Sequence, residues 1–171
     1  MNVFRSRARA AGLAAAVAAL ALLAAPALAG ADAVSSAKPK SNLEVILRPV
    51  AGGSDDGFGL VKFRQPKDAD KIVYLDVWVR DLAPNHSYAL QRATDSNVND
   101  VCTGTIWLTL GQGVVPEAIA TDEKGTGRAD LFRELPAVLL GMQFDIQFRV
   151  VDAVTSAVVL ESACYQYTVS Q

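Results

Sequence analysis

The chain is short of histidine, of cysteine and of any charge excess. It has one histidine, two cysteines, and 16 basic against 18 acidic side chains in 171 residues, for a formal net charge of −2. A single imidazole excludes zinc hydrolases, blue-copper centres and copper enzymes that need two or more. With no basic surplus, the electrostatic footprint of a nucleic-acid binder is missing. The cysteines are about sixty residues apart, so a C-x-x-C redox pair is excluded. There is no C-x-x-C-H for haem, no G-x-x-x-x-G-K to cradle a phosphate, no G-x-G-x-x-G after a strand and no G-x-S-x-G around a serine. Present instead are 51% hydrophobic and 20% charged residues. That is too apolar for a disordered chain, and the length suits one domain.

Met1 to Ala29 reads as a secretory signal peptide. Arg5, Arg7 and Arg9 give a basic start, Ala11 to Leu23 is apolar apart from Gly12, and Ala27-Leu28-Ala29 is an A-x-A cleavage site. The apolar core of about 13 residues is shorter than the roughly 20 a spanning helix needs; a retained anchor is the alternative. No cysteine follows the cleavage site, which disfavours a lipid-anchored form. The Ala-rich leader has a bacterial composition, so the expected location is secreted or periplasmic, with no membrane span after cleavage. Loss of three arginines and no acid lowers the formal charge from −2 to −5, which argues further against nucleic acid and anionic lipid as partners. Gly30 to Asn42 lacks periodicity and is expected to be a flexible leader into a single domain, residues 43–171.

Cys102 and Cys164 sit in a chain expected to leave the cytoplasm, so they are expected to form one disulfide. The alternative is two buried free thiols. Closing a loop of about 60 residues stabilises by about 4 kcal/mol at most, because native strain subtracts from the chain-entropy gain.

The rest reads as strands between turn clusters, with no amphipathic helix. Leu43–Leu47 opens the domain, Gly52–Gly57 is a turn, and Phe58–Phe63 is a strand. Gln65–Asp70, with Pro66, breaks the pattern. In Lys71–Arg80, Val73, Leu75, Val77 and Val79 alternate with polar and aromatic residues, so the aliphatic side is expected to face the core. Strands are also expected at Ser87–Ala93 and Thr103–Leu110, then at Val114–Ala120 as an edge interrupted by Pro116. A hairpin loop at Thr121–Gly127 leads to Ala129–Phe132, and Leu135–Leu140 reads as a strand or one helical turn. Two more strands follow, one starting at Gly141 and one spanning Ala157–Val169. About eight short strands with turns every 8–12 residues predict an all-β, antiparallel Greek-key sandwich of the immunoglobulin-like kind with one disulfide.

Candidate sites are few. His86 follows Pro84-Asn85 and reads as a solvated turn residue. Asp95–Asp100 (DSNVND) alternates oxygen-bearing side chains like the start of a calcium loop, but it lacks the glycine and the glutamate of an EF-hand; it reads as an Asx-rich turn. Asp55–Asp56 and Asp122–Glu123 are paired acids in loops, where neighbouring side chains point apart, so a glycosidase dyad is not expected. No catalytic residue, metal ligand or cofactor is assigned. The one positive oddity is aromatic: Tyr74 and Trp78 fall on the outer face of their strand, and Trp107 is out of phase with Ile106, Leu108 and Leu110. These three form a candidate binding surface for a protein or carbohydrate ligand. Cross-strand aromatic pairs covered by a loop, or a sheet buried on both faces, are the alternatives.

The segment Val77-Trp78-Val79-Arg80-Asp81-Leu82-Ala83-Pro84-Asn85-His86-Ser87-Tyr88-Ala89-Leu90-Gln91 resembles the strand-turn-strand of copper/zinc superoxide dismutase-like sandwiches. In that family a V-x-V-x-G-L-x-x-G turn leads to a strand with two metal histidines one residue apart. A cysteine then follows and bonds to an A-C near the C-terminus; Cys102 and Ala163-Cys164 are similarly placed here. The resemblance covers about a third of the chain after the leader. Its metal positions fall on Ala89 and Gln91, so it implies a Greek-key sandwich and carries no activity. The expectation is an exported, non-catalytic binding or structural protein. The alternatives are an exported carboxylate-dependent hydrolase or carbohydrate-active enzyme, and a calcium-stabilised adhesion domain.

Overall fold

The alternation of Val73, Leu75, Val77 and Val79 with more exposed neighbours survives intact in the folded chain: all four are buried, while Tyr74 and Arg80 are exposed. They belong to an all-β fold seen in a computed structural model that describes residues 41–52, 55–67 and 70–170. The expected signal peptide, and the leader up to Lys40, lie outside the described residues.

The elements, in chain order, are β1 (Asn42–Pro49), β2 (Phe58–Arg64), β3 (Ile72–Arg80), β4 (Ser87–Asp95), β5 (Leu108–Thr109), β6 (Gly111–Gln112), β7 (Val115–Pro116), β8 (Ala118–Ala120), β9 (Gly127–Glu134), β10 (Gln143–Asp152), β11 (Val158–Ser162) and β12 (Tyr165–Thr168). One 3₁₀ turn, Ala137–Leu139, joins β9 to β10, so Leu135–Leu140 takes the helical of its two expected forms. Neighbouring strands run in the order β5-β4-β10-β11-β1-β2-β3-β9-β6-β7, with β12 on β10 and β8 on β4. The Thr121↔Gly127 bridge brings the β8 end back to β9, so the sheet is nearly closed on itself. Phe63 of β2 meets Phe148 of β10 edge-on at 6.0 Å and Tyr167 of β12 at 4.7 Å; facing walls thus share one core.

Three sequence expectations need correction. Asn42 is the first residue of β1, paired with Arg64, and not part of the leader. The strand expected over Thr103–Leu110 exists only at Leu108–Thr109, and Ile106 is 84% exposed. The approach to this stretch is held by polar side chains, which take backbone N–H groups as far as Thr103. Asp95 Oδ1 accepts from Asn97 N at 2.9 Å, Asn99 Oδ1 from Val101 N at 2.9 Å, and Asp145 Oδ2 from Asn99 N at 2.8 Å. The Asp95 carboxylate also holds both Thr103 N and the Thr103 hydroxyl. Finally, Ala157–Val169 is two strands broken at Ala163-Cys164, because Cys164 is bonded there to Cys102, with Cα atoms 5.4 Å apart.

One end of the core is sealed by glycines. A Cβ on Gly127 would lie 2.8 Å from Ala120 O, and one on Gly125 only 2.0 Å from Leu82 O. Gly125 also has φ +73°, a conformation that glycine adopts without steric cost. The hairpin tip therefore presses onto the Leu82–Asn85 turn, with Leu82 N donating to Gly125 O at 3.2 Å and Asn85 N to Asp122 O at 3.0 Å. The opposite end is where space remains.

Candidate functional site

β4 places Tyr88 and Leu90 inward, and β9 does the same with Ala129 and Leu131. Two residues further on, the same alternation turns an arginine inward from each strand: Arg92 beside Phe148 of β10, and Arg133 beside Val73 of β3. Both line a cavity of about 210 Å³ whose walls include Phe63, Leu75, Leu110, Leu139, Phe144 and Phe148. The polar residues lining it are Arg92, Arg133, Thr94 and Tyr167.

Neither arginine meets a carboxylate among the described residues. Arg92 Nη1 donates to Thr94 Oγ1 at 3.0 Å, and Arg133 Nη1 to the carbonyl of Gly113 at 3.0 Å. Burial, and after it the repulsion of Arg133, lowers the Arg92 pKa; a guanidinium starts so high that it stays charged at neutral pH. The Tyr167 hydroxyl donates to Gln65 Oε1 at 2.6 Å, and burial raises its pKa. The site is therefore an apolar chamber with two like charges set into its wall.

No protein-family model, curated protein or solved structure matches the chain. The site has to be read from its own chemistry.

The residues singled out in the sequence lie elsewhere. Tyr74, 40% exposed, and Trp78 share the outer face of β3. Trp78 packs edge-on against Phe58 at 5.9 Å and lines an outer depression of about 470 Å³ with Lys62, Asp76, Arg128 and Asp130. Trp107 is on another wall, beside β5, with the Arg149 guanidinium stacked 4.0 Å from its ring centre. The three aromatics are thus distributed over two walls. Ala89 and Gln91 are half-buried, and Gln91 Oε1 accepts from Arg149 Nε at 2.8 Å. Asp55 and Asp56 are exposed, and Asp122 Oδ1 accepts from Lys124 N and Thr126 N at 2.8 and 2.9 Å.

His86 is held more firmly than a solvated turn residue would be. Its ring Nε2 lies 2.6 Å from Asp152 Oδ2 and packs on Tyr88, yet no hydroxyl is bonded to the ring among the described residues. Asp152 also accepts from Thr155 N and Val154 N at 2.8 Å each. These bonds, Thr155 foremost, lower its pKa from 3.8 to about 2. A folded value below the unfolded one stabilises above pH ~4, and the gain fades as the pH falls through the folded value. The stability gap between wild type and Asp152→Ala in urea melts is expected to narrow steadily from pH 5 to pH 2. A gap that stays level over that range contradicts the assignment.

The cavity arginines were missed in the sequence. Their signal was the period-two series Tyr88-x-Leu90-x-Arg92 and Ala129-x-Leu131-x-Arg133, in which charge occupies a core-facing position.

Proposed function

We propose that the chain is an exported, non-catalytic binding protein that holds a small ligand inside a Greek-key sandwich of the immunoglobulin-like or copper/zinc superoxide dismutase-like kind. The observation that carries this reading is the apolar cavity beside Arg92 and Arg133, a concave site with few polar groups, as ligand pockets usually are. Support for the fold comes from connectivity. β4 pairs with β8, β8 turns through the Thr121↔Gly127 bridge into β9, and β9 lies beside β3, the strand before β4. With β5 to β7 as an excursion between β4 and β8, this return of β9 to β3 is the kind of connection that a Greek key uses. The Cys102–Cys164 bond supports export, since such bonds persist in oxidising compartments. So does the leader pattern, and among the described residues no helix is long and apolar enough to cross a membrane.

The alternatives have less behind them. A carboxylate-dependent hydrolase would have to draw on Asp122, whose oxygen is engaged by backbone N–H groups, or on acids in an open turn. A calcium-stabilised adhesion domain would use the Asp95–Asp100 loop, where Asp95 and Asn99 oxygens already cap their own backbone. A protein or carbohydrate partner on the Trp78 depression is a second reading, favoured by charges of both signs around that ring.

Toluene, a neutral probe matched to the size of the cavity, tests it. Calorimetry is expected to show binding to the wild type, and Leu139→Trp, which places an indole in the space, is expected to weaken binding at least tenfold with an unchanged circular dichroism spectrum. Absence of wild-type binding, or equal binding by the variant, rejects the cavity as the ligand site.

A further inference from the structure

Two arginines lining a largely apolar chamber are a costly arrangement for the protein on its own. Each charge is partly removed from water, each bonds among the described residues only to a neutral oxygen, and the pair repels. Charges set inward in this way are normally matched by acids, and here none is within bonding distance among the described residues. Elsewhere arginines do find partners: Arg64 meets Asp76 at 2.5 Å and Arg80 meets Asp81 at 3.0 Å. The missing counter-charge therefore falls to the ligand. A carboxylate suits it, because its two oxygens match the planar donor forks of guanidiniums. The walls specify the other half of the ligand. With a liquid share of about 30 Å³ per water-sized group, 210 Å³ takes a tail of about seven methylene-sized groups.

We infer that the cavity binds a short amphiphilic carboxylate, an alkyl or aryl acid with its tail among Phe63, Leu75, Phe144 and Phe148 and its headgroup between Arg92 and Arg133. This rests on the cavity being the ligand site, and it adds the charge and class of the ligand.

Calorimetric titration of the full chain with octanoate, 1-octanol and octylammonium separates headgroup from tail. Octanoate is expected to bind at least tenfold more tightly than octanol, with octylammonium weakest. Arg92→Gln and Arg133→Gln are each expected to cost octanoate at least tenfold and octanol little. Arg133→Lys, which keeps the charge, should recover part of the loss, and Arg64→Gln, outside the cavity, should change nothing. Because either glutamine relieves repulsion, ligand-free Arg133→Gln is expected to melt no lower than wild type; a purely structural arginine would melt lower. If toluene binds but octanoate is no tighter than octanol, the carboxylate inference is overturned and the cavity reading stands. If neither toluene nor any octyl compound binds, both are overturned.

Discussion

Replacing Cys102 and Cys164 by serine is expected to destabilise the protein by about 2–4 kcal/mol and to lower its melting temperature by about 10 °C. The bond spans 62 residues, so in the unfolded chain it removes the conformational freedom of nearly half the domain; that loss of freedom, and not a contact, is the source of most of the gain. It also anchors the stretch after β4, whose N–H groups bond to Asp95, Asn99 and Asp145 instead of a neighbouring strand. Loosening that stretch should disturb Trp107, stacked on Arg149, so its fluorescence is expected to shift before the sheet melts. A double serine variant melting within two degrees of wild type would show that the loop is held without the bond.

Gln65→Ala should cost about 3 kcal/mol, although the residue sits in what the sequence presents as a break before Pro66. Its side chain is buried, with Oε1 accepting from the Tyr167 hydroxyl at 2.6 Å and from Ser170 N at 2.7 Å. Truncation leaves two buried donors without partners, at about 1–3 kcal/mol each. Removing one of those donors as well should return part of the loss. Tyr167→Phe combined with Gln65→Ala is therefore expected to be at least 1 kcal/mol less destabilising than the sum of the two single changes. Additive losses would mean that the hydroxyl bond contributes nothing beyond packing. Since Tyr167 also lines the cavity, the double-mutant cycle reports on how rigidly that wall is held.

Much of the frame is legible residue by residue. The alternation in β3 placed its core side correctly, Pro116 marked short edge strands, and the glycines of Thr121–Gly127 marked a hairpin. Reading failed where side chains compete with the ladder. Thr103–Leu110 has the right alternation for a strand, but the Asp95 carboxylate and the Cys102 bond capture its start. It failed also at charged residues: Arg92, inside the expected strand Ser87–Ala93, and Arg133, just past Ala129–Phe132, continue the inward series.

By itself, then, the sequence determined the all-β class, the expectation that its two cysteines pair and the absence of the motifs named at the outset, because these depend on local periodicity and on residue counts. Only the tertiary structure decided that β4 and β9, about forty residues apart in the chain, turn their arginines into one chamber, and that Tyr74 and Trp78 share a wall from which Trp107 is absent. Alternation says which side of a strand a residue occupies; it takes the order and register of the closed sheet to say what faces it across the core.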